Sequence, residues 1–155
     1  MVRWTGVVEP GSVSAHVTGF EDWLPTLLAA VGAEERLPEK VDGISFLPIL
    51  RGERPEKRPF LYRELPAFGG QQAVWWGKWK GARMNLSRNP PDRRIELYNL
   101  ERDPGEERDV AVEHPAVVSR IEEIMWREHR PSEVFLFPAL DDPPVETGGE
   151  TAVTH

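Results

Sequence analysis

A chain of 155 residues with 19 lysines and arginines against 26 aspartates and glutamates, and a formal charge of −7, has room for one packed domain and no general attraction for nucleic acid or anionic membranes. It contains no cysteine, which excludes disulfides, thiolate metal sites, a cysteine nucleophile and any cofactor made by modifying cysteine. No continuous apolar run approaches the roughly 20 residues that a bilayer-spanning helix needs.

The opening "MVRWTGVV" is apolar and rich in β-formers, and predicts a strand closed by the turn residues "EPGS". "FEDWLPTLLAAVG" predicts a helix: Asp22 caps it, Pro25 falls in the first turn, Leu24, Leu27, Leu28 and Val31 share a face, and Gly32 ends it. That face calls for a cover. "ISFLPILRG" predicts a short apolar turn or helix, and the charged run from Glu53 to Arg58 a solvent-facing connector.

Four strands are predicted next, "PFLYREL", "QQAVWW", "KWKGARMNL" and "RIELYNL". Tight punctuation between them argues for an antiparallel meander. Gly77-Lys78 suits a two-residue hairpin, and Asn89-Pro90-Pro91-Asp92 a longer one. "AVVSRIEEIMWREHR" follows, with Val117, Val118, Ile121, Ile124 and Met125 at helical spacing and Pro115 suited to the first helical position. His114 and His129 stand at the ends of this helix, and no two of the four histidines have metal-ligand spacing. From about Asp141 the chain is Pro, Gly, Thr and Glu without periodicity, which predicts disorder and makes Asp141-Asp142 a solvated charge pair.

The order strand, Asp-Pro-Gly-Glu, amphipathic helix in "ELYNLERDPGEERDVA" closely resembles the C-terminal signature of the type I sulfatases, which are arylsulfatase-like members of the alkaline-phosphatase-like superfamily. Further resemblances follow in the family's order. "VRWTGVV" is similar to its strand ending in Arg-Trp-Pro-Gly, with Thr5 in place of proline. "EDWLPTLLAAVGA" is similar to its Asp-x-x-Pro-Thr-Leu helix, "DGISFLPILRGE" to its Asp-Gly-x-Ser-Leu segment, and "GKWKGAR" to its Gly-x-Trp-Lys strand. The resemblance runs from about Val2 to about Leu140.

It implies an α+β fold: a C-terminal sulfatase subdomain in which a small antiparallel four-stranded sheet is packed by an amphipathic C-terminal helix, preceded by an edge piece of the large α/β domain. Residues 1–52 would belong to the large domain, 53–140 to the small one, and 141–155 to a disordered tail. The family hydrolyses sulfate esters with a formylglycine, made from Cys or Ser in a Cys/Ser-x-Pro-x-Arg motif, and a calcium ion held by Asp and Asn side chains. Neither the motif nor those ligands is found here, since Ser87-Arg88-Asn89-Pro90 has the wrong spacing. The resemblance therefore implies no catalytic or metal residue and no cofactor in this chain. It implies calcium and formylglycine in the intact enzyme and a missing N-terminal catalytic part as partner; sulfatases of this type are often exported, with the signal upstream, so the compartment stays open. Glu64, Gln71 and Gln72 are the residues it places at the substrate rim. Arg63 and Trp75 depart from the family, which often has an aromatic and an arginine there.

Two other readings compete. Trp75, Trp76 and Trp79 with Lys78 and Lys80 suggest a standalone module for sulfated carbohydrate, although alternation along a strand sends neighbours to opposite faces. An unpaired first strand and an uncovered helix suggest a remnant without function.

Overall fold

A computed structural model describes residues 1–88 and 90–141. Two compact units divide the chain between Leu61 and Tyr62.

The first unit holds two helices, α1 (Trp23–Ala30) and α2 (Leu47–Leu50). The predicted opening strand is absent: Val7 and Val8 donate their N–H groups to the carbonyl of Trp4 at 3.1 and 2.9 Å. These residues satisfy backbone groups locally, in a turn that Gly6 supports with a φ of 81°.

Asp22 does not cap α1 through its side chain. Its carboxylate, 1% exposed, accepts N–H bonds from Gly19 at 2.6 Å and Ile44 at 2.8 Å and pairs with the Arg58 guanidinium. The connector at 53–58 is thus not wholly solvent-facing, because Arg58 closes a buried ion pair. Thr26 extends the same junction: its hydroxyl donates to the carbonyl of Asp22 at 2.6 Å and accepts from the N–H of Phe46 at 3.0 Å. Trp23 meets Phe46 edge to face at 5.0 Å. The packed side of α1 is therefore the side of Pro25 and Thr26, while Leu24, Leu27 and Val31 stand 48, 57 and 75% exposed.

The second unit is built on a four-stranded antiparallel sheet in the order β1 (Leu61–Leu65), β2 (Gln71–Trp76), β3 (Trp79–Arg83), β4 (Glu96–Asn99). Gly77 and Lys78 close the β2–β3 hairpin, with a φ of 59° at Gly77. Glycine in the first position is what a tight two-residue turn requires when its twist must match that of the strands. Asn89, the first residue of the longer predicted turn, lies outside the described residues.

Helix α3 (Pro115–Glu128) opens at Pro115 as its sequence predicts and lays Ile121, Ile124 and Met125 on one face of the sheet, over Val74 and Leu97. Gly81 makes this approach possible: a Cβ there would stand 2.6 Å from Ile121 Cγ2 and 3.3 Å from Ile95 Cγ2. The segment after β4 protects the sheet edge. Leu97 donates its N–H to Asp109 Oδ1 at 3.0 Å, and Val110 donates to the carbonyl of Leu97 at 2.9 Å. These bonds occupy groups that an edge strand otherwise leaves open.

A last short helix, α4 (Pro138–Asp141), brings Leu140 and the preceding Phe137 against Leu86. Asp141 is thereby ordered, accepting the N–H of Phe137 at 2.9 Å and facing His129. It is not half of a solvated charge pair, since the helix turn directs its carboxylate inward. The rest of the predicted tail, residues 142–155, lies outside the described residues.

Candidate functional site on the open face of the sheet

Alternation gives the sheet two chemically different faces. One packs on α3. The other lines a cavity of about 530 Å³, within the usual range for small-molecule sites.

The centre of the cavity is a row set by strand register. Trp75 of β2 pairs with Lys80 of β3, which pairs with Tyr98 of β4. Lys80 Nζ lies 5.2 Å from the centroid of the Trp75 ring and 2.7 and 2.5 Å from the two carboxylate oxygens of Glu106. Tyr98 donates its hydroxyl to Glu96 Oε2 at 2.8 Å. Burial and that bond to Glu96 raise the Tyr98 phenol to about 12. Arg63, Leu65, Gln71, Ala73, Ala82 and Met84 complete most of the lining.

Beneath the sheet, towards α3, runs a buried polar network. Gln72 donates its amide to the Tyr62 hydroxyl at 2.9 Å, and Tyr62 donates to Glu64. Arg83 donates to the carbonyl of Arg93 at 2.9 Å and pairs with Glu122. Burial lowers the Arg83 pKa, opposed by the Glu122 charge. Burial also raises the Tyr62 phenol, helped by its bond to Glu64. His129, which follows the end of α3, places Nδ1 2.8 Å from Glu64 Oε2 and Nε2 3.1 Å from Asp141 Oδ1.

Glu64, Gln71 and Gln72 all border the cavity. Their side chains have different attachments: Glu64 and Gln72 join the network beneath the sheet, while Gln71 Nε2 lies 3.5 Å from the carbonyl of Phe68 at the exposed rim. The tryptophans are divided too. Trp75 lines the cavity, whereas Trp79 meets His114 at a tilt of 55° with ring centroids 4.7 Å apart. Tyr98, Glu96 and Glu106 were not singled out from the sequence. The signal for Glu96 and Tyr98, a period of two in "ELYN", becomes a site only when β4 is registered against Lys80, and Glu106 is brought in by the loop that follows.

Among the described residues no group of three or more His, Asp or Glu side chains is arranged to hold a metal ion.

No family model matches the chain. It is 39% identical over 62 residues to an ulvan-active sulfatase of Formosa agariphila, covering 40% of this chain and 12% of that protein. It is 29% identical over 143 residues to the steryl-sulfatase of Mus musculus, covering 73% of this chain and 22% of that one. A solved 2-O GAG sulfatase superimposes with a TM-score of 0.55 at 25% identity, covering 66% of this chain and 22% of its own. The four-stranded antiparallel sheet carrying helices is an α+β fold that matches solved sulfatase structures. The chain is a relative of the sulfatases, and spans 12% and 22% of the length of the two curated relatives above.

Proposed function

We propose that this chain is the C-terminal part of a sulfuric ester hydrolase, and that its 155 residues do not hydrolyse sulfate esters by themselves. The observation that carries this reading is the pairing of sulfatase similarity with a sequence that has no cysteine and no Ser-x-Pro-x-Arg motif. An N-terminal part would supply the formylglycine and the calcium ligands. Residues 1–52 would then complete the large α/β domain, offering the exposed Leu24, Leu27 and Val31 face of α1 to it. Residues 53–140 would form the small subdomain, with Gln71, Glu64 and Gln72 bordering substrate.

The test is the size of the native polypeptide on an immunoblot of source cells, using an antibody to Tyr62–Asp141. A band several times larger than the 155-residue chain is expected. A band at the size of this chain alone overturns the reading. In parallel, the purified chain is expected to show no turnover of 4-nitrophenyl sulfate. Turnover that tracks the chain through purification would remove the claim of inactivity.

A further inference from the structure

The cavity on the open sheet face is not built for sulfate. Its charged lining sets two cations, Arg63 and Lys80, against the carboxylates of Glu96 and Glu106, while the carboxylate of the bordering Glu64 is held in the network beneath the sheet. Lys80 is already neutralised by Glu106, with both carboxylate oxygens within 2.7 Å of Nζ. A sulfate group brought here would meet fixed carboxylates without a surplus of positive charge, and juxtaposed like charges oppose binding.

What the face does offer is ring surface flanked by hydrogen-bonding groups. Trp75 and Tyr98 lie on either side of Lys80 in the cross-strand row, Leu65 and Met84 add apolar surface, and Glu96, Glu106 and Gln71 add acceptors. Aromatic rings beside carboxylates and amides suit a molecule with an apolar C–H face and a periphery of hydroxyl donors. An uncharged pyranose has that chemistry.

We propose that this cavity binds an uncharged sugar ring of an oligosaccharide, through Trp75, Tyr98 and Gln71, and discriminates against sulfated rings. In a sulfatase it would hold an unsulfated unit of the glycan, away from the ester that is cleaved. The proposal goes beyond the function proposed above, because binding by this chain requires no hydrolysis and can be measured whatever the length of the native polypeptide.

The test is isothermal titration of the purified chain with cellohexaose, xylohexaose and mannohexaose, and with a heparin-derived hexasaccharide. At least one neutral hexaose is expected to bind more tightly than the heparin fragment. Its affinity should fall about tenfold or more in Trp75→Ala, with a smaller loss in Gln71→Ala, whose exposed side chain keeps folding intact. Lys78→Ala, in the hairpin turn outside the cavity, should bind as the parent chain does. The proposal is overturned if no neutral hexaose binds, if the heparin fragment binds most tightly, or if binding is unchanged in both Trp75→Ala and Gln71→Ala.

Discussion

Lys80 and Glu106 form a bidentate ion pair across the open face of the sheet, although Lys80 lies near the start of β3 and Glu106 in the loop after β4. Glu106 makes the pair from a left-handed backbone conformation, with φ at 57°. Its side chain is one-third exposed and that of Lys80 18% exposed, so screening is incomplete.

This geometry separates charge from backbone. Glu106→Gly and Glu106→Ala both delete the ion pair, but glycine tolerates positive φ and alanine does not. Glu106→Ala is expected to be less stable than Glu106→Gly by about 1 kcal/mol, and a Lys80→Met, Glu106→Gln cycle to give a coupling of roughly 1 kcal/mol. Urea unfolding of the variants checks both. Equal stability of the glycine and alanine variants would show that the backbone at Glu106 is unstrained.

Gly81 faces a stricter limit, because its missing side chain is the space that Ile121 occupies. Gly81→Ala should lower stability by about 1–3 kcal/mol through displacement of α3 from the sheet. Thermal unfolding measures the loss, and a melting temperature unchanged by the substitution would show that α3 does not pack so closely.

In the first unit, the buried Asp22–Arg58 pair and the exposed α1 face predict opposite sensitivities. Asp22→Ala leaves Arg58 only its 3.9 Å contact with Glu21 and removes the acceptor of two backbone N–H groups, an effect expected to cost about 3 kcal/mol. Leu27→Asp, at a position 57% exposed, should stay within about 0.5 kcal/mol. Amide hydrogen exchange at Gly19 and Ile44 reports on both. Strong protection surviving in Asp22→Ala would contradict this arrangement.

The two tyrosines give a pH prediction. Tyr98 is raised to about 12 and Tyr62 is raised as well, against an ordinary value of 10.0. A phenol whose folded pKa is raised favours folding fully below pH 10, and that contribution is lost as pH rises from 10 towards 12. Absorbance at 295 nm should therefore show little phenolate at pH 10.5 in the folded chain, and more than half in urea. Asp103 works in the other direction: N–H bonds from Arg108 and Glu107 lower its pKa from 3.8. Its contribution is present above that value and fades as pH falls below it. Normal tyrosine titration in the folded chain would refute the burial of both phenols.

Much of the second unit was legible locally. "QQAVWWGKWKGAR" carries a period of two around a Gly-Lys break, and residues from Pro115 carry a helical period, so β2, β3 and α3 follow from neighbours in sequence. The family resemblance was legible for the same reason, as short motifs in a fixed order. The opening "MVRWTGVV" forms a turn where its propensity predicts a strand, since a strand gains ladder bonds only where another strand lies beside it.

What the tertiary structure decided is which residues meet. Register placed Trp75, Lys80 and Tyr98 in one row, folding carried Arg58 to Asp22, and α4 turned Asp141 towards His129. Propensity and periodicity act over a few residues and fix the elements. The site depends on pairings between residues distant in the chain, whose free energies arise only when packing brings those charges, rings and backbone groups together.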